Sequence, residues 1–226
     1  MELHPFVRSL VSMRFSNCFN PYVDRCIIHD HMDAPRRRSS LLSALMQKAQ
    51  ASKIDAIWIG RDLGYRGGRR TGLALTDDAH LQNHVSRWGI PVERATLGNP
   101  VAERTASVIW SVLDGISAPV FLWNVFPFHP HESENAFTNR PHNAMERVAG
   151  EGVLRELIRI LKPLRIVAVG NDAFGVAARL AGGIPVQKVR HPSYGGQTEF
   201  LTQVRSLYGL GSSQYALFNC DAARIA

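Results

Sequence analysis

Cysteine is scarce in this chain: Cys18, Cys26 and Cys220 are the only three among 226 residues. They form no Cys-x-x-Cys pair and leave an odd count. Structural zinc and iron–sulfur clusters want four close ligands, so neither is supported and no metal or other cofactor is expected. The plain reading is three reduced, mostly buried thiols. Long apolar runs are missing too, and the longest are far too short to span a bilayer. The first residues, Met1-Glu-Leu-His-Pro-Phe6, lack the basic start and apolar core of a secretory signal. A cytoplasmic chain without membrane contact or an obligate protein partner is the expectation. Repeats, low-complexity tracts and clear linkers are absent as well, which points to one domain over residues 1–226.

Acidic residues are outnumbered, 19 against 26 Lys and Arg, for a formal charge of +7. A surplus of this size raises nucleic acid as a partner. The bases are also clustered, as Arg36-Arg37-Arg38 and as Arg61, Arg66, Arg69 and Arg70. The second cluster holds only Asp62 as acid and sits among glycines. Runs of charge are commonly solvated faces, and basic proteins also attract small anions. Charge alone leaves both kinds of partner open.

What the chain does have is a set of short apolar stretches that each end in polar residues. Asp55-Ala-Ile-Trp-Ile59 runs into Gly60-Arg61-Asp62, and Val120-Phe-Leu-Trp123 into Asn124. Ile166-Val-Ala-Val169 runs into Gly170-Asn171, and Val186-Gln-Lys-Val189 into Arg190-His191-Pro192-Ser193. Helical patterns alternate with them, which predicts an α/β fold: a central, mostly parallel four-stranded sheet flanked by helices. One helix is expected from a Ser39-Ser40 cap through Leu41, Leu42, Leu45, Met46 and Ala49. Others are expected from Asp77-Asp78 to Trp88, from Asn99-Pro100 to Gly115, over 143–162, from Asn171-Asp172 to Gly182-Gly183, and over Thr198–Tyr208. Between Val125 and His142 lies an irregular stretch with three prolines and three histidines. Surface histidines in such a loop are commonly incidental, and His129, His131 and His142 are read that way.

In open parallel sheets, ligands bind outside the carboxyl ends of the strands. An Asp, an Asn and a His delivered to one edge therefore suggest one site. Each residue has a plainer reading. Asp62 could cap a turn in the glycine-rich segment, which is neither a Walker loop nor Gly-x-Gly-x-x-Gly. Asn124 could satisfy a turn, or pair its amide with a nucleobase edge. His191 could cap a strand end; in the functional reading Pro192 fixes its backbone and Ser193 bonds a phosphate.

Taken together and in order, these segments resemble the uracil-DNA glycosylase superfamily over roughly residues 55–205. Gly60-Arg-Asp-Leu-Gly-Tyr65 through Gly72-Leu-Ala-Leu75 is similar to that family's first motif, an acidic residue after a strand with a tyrosine three residues on. Asn124 matches its uracil-reading asparagine, Gly170-Asn171 its phosphate-gripping turn, and His191-Pro192-Ser193 its second catalytic motif. The cysteine pattern excludes the iron–sulfur branch. The family's base-stacking aromatic falls on Leu75, so stacking is expected from Phe126 or Phe128. The residue pushed into the duplex has no leucine equivalent, which leaves Tyr194 or Gln197.

The resemblance implies a DNA-repair hydrolase that takes uracil out of the stack and cleaves its N-glycosidic bond, leaving an abasic site. Asp62 and His191 would be the catalytic pair. Asn124, Tyr65, Leu75 and Phe126 would hold the base, with Tyr65 as the wall against the thymine methyl. Arg61, Arg66, Arg69, Arg70, Gly170, Asn171, Ser193, Tyr194 and Gln197 would contact DNA that contains uracil or an abasic site. A non-catalytic binder of such DNA on the same scaffold would use nearly the same residues. A phosphate- or nucleotide-handling α/β enzyme unrelated to repair is a further reading.

Overall fold

In the computed structural model, which describes residues 2–211, the four apolar stretches become one four-stranded sheet, parallel throughout. The chain begins with α1 (Pro5–Ser12), β1 (Cys18–Phe19) and α2 (Ala34–Gln50), then enters the sheet with β2 (Ala56–Gly60). Three helices follow: α3 (Gly68–Thr71), α4 (Leu81–Ser86) and α5 (Arg104–Leu113). Then come β3 (Val120–Asn124), β4 (His129–Pro130), α6 (Ala144–Leu161) and β5 (Arg165–Val169). The described part closes with α7 (Asn171–Leu180), β6 (Val186–Val189) and α8 (Gln197–Tyr208). The strand order is β3-β2-β5-β6, and β1 pairs antiparallel with β4 beside it.

All five residues of β2 and of β3 are buried, because helices cover both faces of the sheet. A parallel strand buried on both sides reads as a continuous apolar run, which is why these strands stand out in the sequence. Side chains still alternate between the faces. Ile57, Ile59, Phe121, Trp123, Ile166 and Ala168 pack under α1, α2, α6 and α7. Trp58, Leu122, Val167, Val169 and Val189 pack instead against α5 and α8.

Helix boundaries depart from the sequence pattern more than strands do. The Ser39-Ser40 pair does not cap α2; the helix starts at Ala34 with Pro35 in its first turn, and Ser39 Oγ bonds back to the Arg36 carbonyl. The cause lies in side-chain ion pairs. Arg38 spans the two oxygens of buried Asp30 at 2.9 and 2.5 Å, and Asp33 pairs with Arg36 and Arg37, so the basic run lies within the helix. Helix α5 begins at Arg104 rather than after Pro100, with Glu103 N–H donating to Asp77 Oδ2 at 2.6 Å. Helix α6 starts where a true capping box stands: Asn143 Oδ1 accepts from Glu146 N, and Glu146 Oε2 accepts from Asn143 N. It ends at Lys162 in a left-handed conformation, one residue before Pro163.

Cys18 and Cys26 are free thiols, half-buried and buried; Cys220 lies outside the described residues. Among the described residues no helix is long and apolar enough to cross a membrane.

Candidate active site

Parallel pairing sets Gly60 level with Asn124, and Val169 level with Val189. The segments that leave β2, β5 and β6 therefore open at one edge of the sheet, beside the end of β3. A cleft of about 540 Å³ lies there. Its wall includes Arg61 and Asp62 after β2, Gly170 and Asn171 after β5, and His191 and Ser193 after β6.

Asp62 is nearly buried, with 8% of its side chain exposed. Both of its oxygens are engaged. Arg61 Nε donates to Oδ2 at 2.7 Å, and His142 Nδ1 meets Oδ1. Arg61 also reaches Asp172 Oδ2 at 3.2 Å, at the start of α7. Its guanidinium thus links the turns after β2 and β5.

Asn124 is 1% exposed, and neither its amide nitrogen nor its amide oxygen has a hydrogen-bond partner. Leaving both buried costs about 1–3 kcal/mol per group, so an orphaned amide at a strand end points to a ligand. Gly60 makes room for it: a Cβ there would lie 2.5 Å from Asn124 Oδ1 and 2.9 Å from Leu75 Cδ2. Gly60 and Leu75 both line the cleft, so the amide lies directly behind its wall, while Asn124 itself is not among the lining residues. Leu75 holds a backbone φ of 55°, unusual for a residue with a side chain.

His191 Nδ1 lies 2.7 Å from Ser193 Oγ and 3.2 Å from Ser193 N. The backbone N–H donates, so Nδ1 is the unprotonated acceptor and Nε2 carries the proton. Burial, then the charges of Arg61 and Arg190, pull the ring below the ordinary histidine range, with Asp172 opposing. His191 is therefore a neutral imidazole with one N–H to offer. Gly170, at φ 91°, lets it approach closely; a Cβ there would sit 3.3 Å from the His191 Cβ.

The cleft gathers Arg61, Asp62, Leu75, Gly170, Asn171, His191, Ser193 and Tyr194 from the residues the sequence singles out. Tyr194 stands 97% exposed, with φ 51°. Other expected contacts lie elsewhere. Phe126 is buried in an aromatic cluster with Phe15 and Phe128, away from the cleft wall. Phe128 is buried too, so neither ring is presented to a base there. Arg69 and Arg70, expected on DNA phosphates, are buried: Arg70 pairs with Asp78 at 2.7 Å, and Arg69 stacks on Phe19 and Phe137. Tyr65 accepts from Arg66 Nε at 2.8 Å, and neither residue lines the cleft. Gln197 is exposed at the start of α8, also off the wall.

Some residues at or beside the cleft are given no role by the sequence. Glu103 lines it beside Gly64 and Gly67; burial, then Asp77, push its carboxyl up against the opposing pull of Arg66. Arg190 lines it one residue before the histidine. His142, expected to be incidental, is largely buried against Asp62. The signal that could find it is the Asn143-x-x-Glu146 capping box, which fixes the chain immediately after it.

No family model and no curated relative matches the chain. A solved structure does. The crystal structure of wild-type SMUG2 from Pedobacter heparinus superposes with a TM-score of 0.60 at 14% identity. The match covers 94% of this chain and 96% of that one. The likeness is one of fold: both chains share an α/β architecture, here a parallel four-stranded sheet flanked by helices.

Proposed function

We infer that this chain is a DNA glycosylase that extrudes uracil from DNA and hydrolyses its N-glycosidic bond. The observation that carries the reading is the orphaned Asn124 amide beside a cleft that also holds Asp62 and a neutral His191. The SMUG2-like fold supports it.

Flipping a base costs a few kcal/mol. Arg61 and Arg190 at the cleft, and the backbone N–H of Asn171 in the first turn of α7, offset that cost by holding phosphates. Asn124 accepts from uracil N3–H and donates to O4; cytosine reverses that pattern and leaves the amide mispaired. As the bond to the sugar breaks, negative charge grows on uracil and positive charge on the sugar. His191 Nε2–H stabilises the first, a contribution commonly about 10²–10³ in rate. The Asp62 carboxylate stabilises the second and orients the water that adds to the sugar carbon.

The test is single-turnover incubation of a uracil-containing oligonucleotide with excess protein, followed by alkaline breakage of abasic sites. Wild-type protein breaks the strand at uracil only, whereas Asp62→Asn and His191→Ala lose at least about 100-fold in rate and still bind DNA. No cleavage at enzyme excess overturns the reading and favours a non-catalytic binder.

A further inference from the structure

The stretch before α6 reads as a loop in sequence, yet its last residues are tied down by side-chain hydrogen bonds. Asn139 Oδ1 accepts the Tyr65 N–H at 2.9 Å. Arg140 places one guanidinium nitrogen on each oxygen of buried Glu146, both at 2.7 Å. It also donates to the carbonyls of His131 at 3.0 Å and Asn17 at 3.1 Å. Asn143 and Glu146 then close the capping box of α6.

His142 stands between these fixed points with 10% of its side chain exposed, its ring centroid 6.0 Å from that of Phe126. Its Nδ1 meets Asp62 Oδ1 across 80 positions of sequence. Helix α6 is capped without it, so the helix start does not require this contact. Asn139 and His142 together tie the turn that carries Asp62 to the start of a long helix.

We propose that His142 is a positioning residue for Asp62, an assignment that rests on the glycosylase reading of the cleft. A carboxylate only accepts, so the imidazole donates its Nδ1–H to Oδ1 while Arg61 Nε–H holds Oδ2. Two donors, one on each oxygen, fix the plane of the carboxylate. Its remaining lone pairs serve the sugar and the attacking water. Arg61 is half exposed and shared with Asp172, whereas His142 is buried and braced; the histidine is the rigid half of the clamp. A carboxylate misplaced by an ångström costs about 10²-fold in rate.

The experiment compares His142→Ala, His142→Phe and His142→Asn with wild type in single-turnover excision and in binding to a duplex carrying non-cleavable 2′-fluoro-deoxyuridine. Ala and Phe slow excision by about 10- to 100-fold with binding unchanged. Asn, whose Nδ2–H occupies the place of Nδ1–H, restores most of the rate. Phe keeps the packing against Phe126 but not the donor, so recovery by Phe rather than Asn overturns the assignment, as do wild-type rates in Ala and Phe. Imidazole ¹⁵N signals test the pairing without turnover. A His142 ring protonated at Nδ1 and perturbed by Asp62→Asn supports it, and an Nε2-protonated ring indifferent to that change overturns it. If wild-type protein releases no uracil, the glycosylase reading falls, and the nitrogen signals still decide the clamp.

Discussion

Asn124 is the residue whose position costs the fold most for what it returns to stability. Its amide is buried with both polar atoms unpaired. Asn124→Ala should therefore raise the urea midpoint or leave it unchanged, against the usual cost of a buried truncation, while excision falls by at least about 10-fold. A loss of more than about 1 kcal/mol would mean that the amide has a structural partner. The same logic runs in reverse at Gly60. Gly60→Ala sets a methyl against Asn124 Oδ1 and Leu75 Cδ2, so it should disable base binding before it unfolds the chain. Thermal melting beside a binding titration checks the order. At this scale the sequence was informative wherever a polar residue ends an apolar strand, because the strand dictates where that residue goes. It was silent on Glu103, whose place depends on how separate turns converge, and it showed Arg190 at a strand end without giving it a role.

Helix α6 shows how an element can serve a site it does not enter. Its capping box and the Arg140–Glu146 pair hold the backbone on both sides of His142. Asn143→Ala should cost about 1 kcal/mol, the usual worth of a cap. Glu146→Ala should cost more, about 3–5 kcal/mol, because it strands a guanidinium that is mostly buried. Urea unfolding of both variants measures the difference, and equal costs would remove the pair from this account. The four strands of the main sheet were legible to within a residue, β2, β3 and β5 because they are apolar on both faces, whereas the short pair β1 and β4 was not read. Helix starts were less so. At α2 the serines offered a local cap, but the buried Asp30–Arg38 pair and Pro35 set the first turn earlier. The serine cap lost to Pro35 and to ion pairs formed within eight residues of sequence.

For the molecule as a whole, acid is the stress to apply. Burial, then Arg87, brings His84 down to about 3, and burial brings His129 down to about 3 as well. Both start from 6.5 when the chain is unfolded, so below that pH the unfolded state binds more protons. Stability should therefore decline as pH falls from about 6.5 toward 3, by up to about 1.4 kcal/mol per pH unit for each ring. Urea midpoints between pH 7.5 and 4.5 check this, and a flat profile would contradict it. Excision should persist to lower pH than a free histidine allows, since His191 also stays neutral. The net charge was misleading in one respect: much of the arginine surplus is spent inside. Arg38, Arg69 and Arg70 are buried, which no count of bases distinguishes from a DNA-facing patch. The strand order carries a last consequence. Of the four strands in the main sheet, β2 is synthesised first, and its neighbours β3 and β5 follow only much later. Asp62 is thus synthesised long before His191, and a nascent chain stopped short of β6 carries the carboxylate and the amide without the imidazole. On the glycosylase reading, the partner for the departing base arrives only with the last crossover, so excision must wait for β6 to dock.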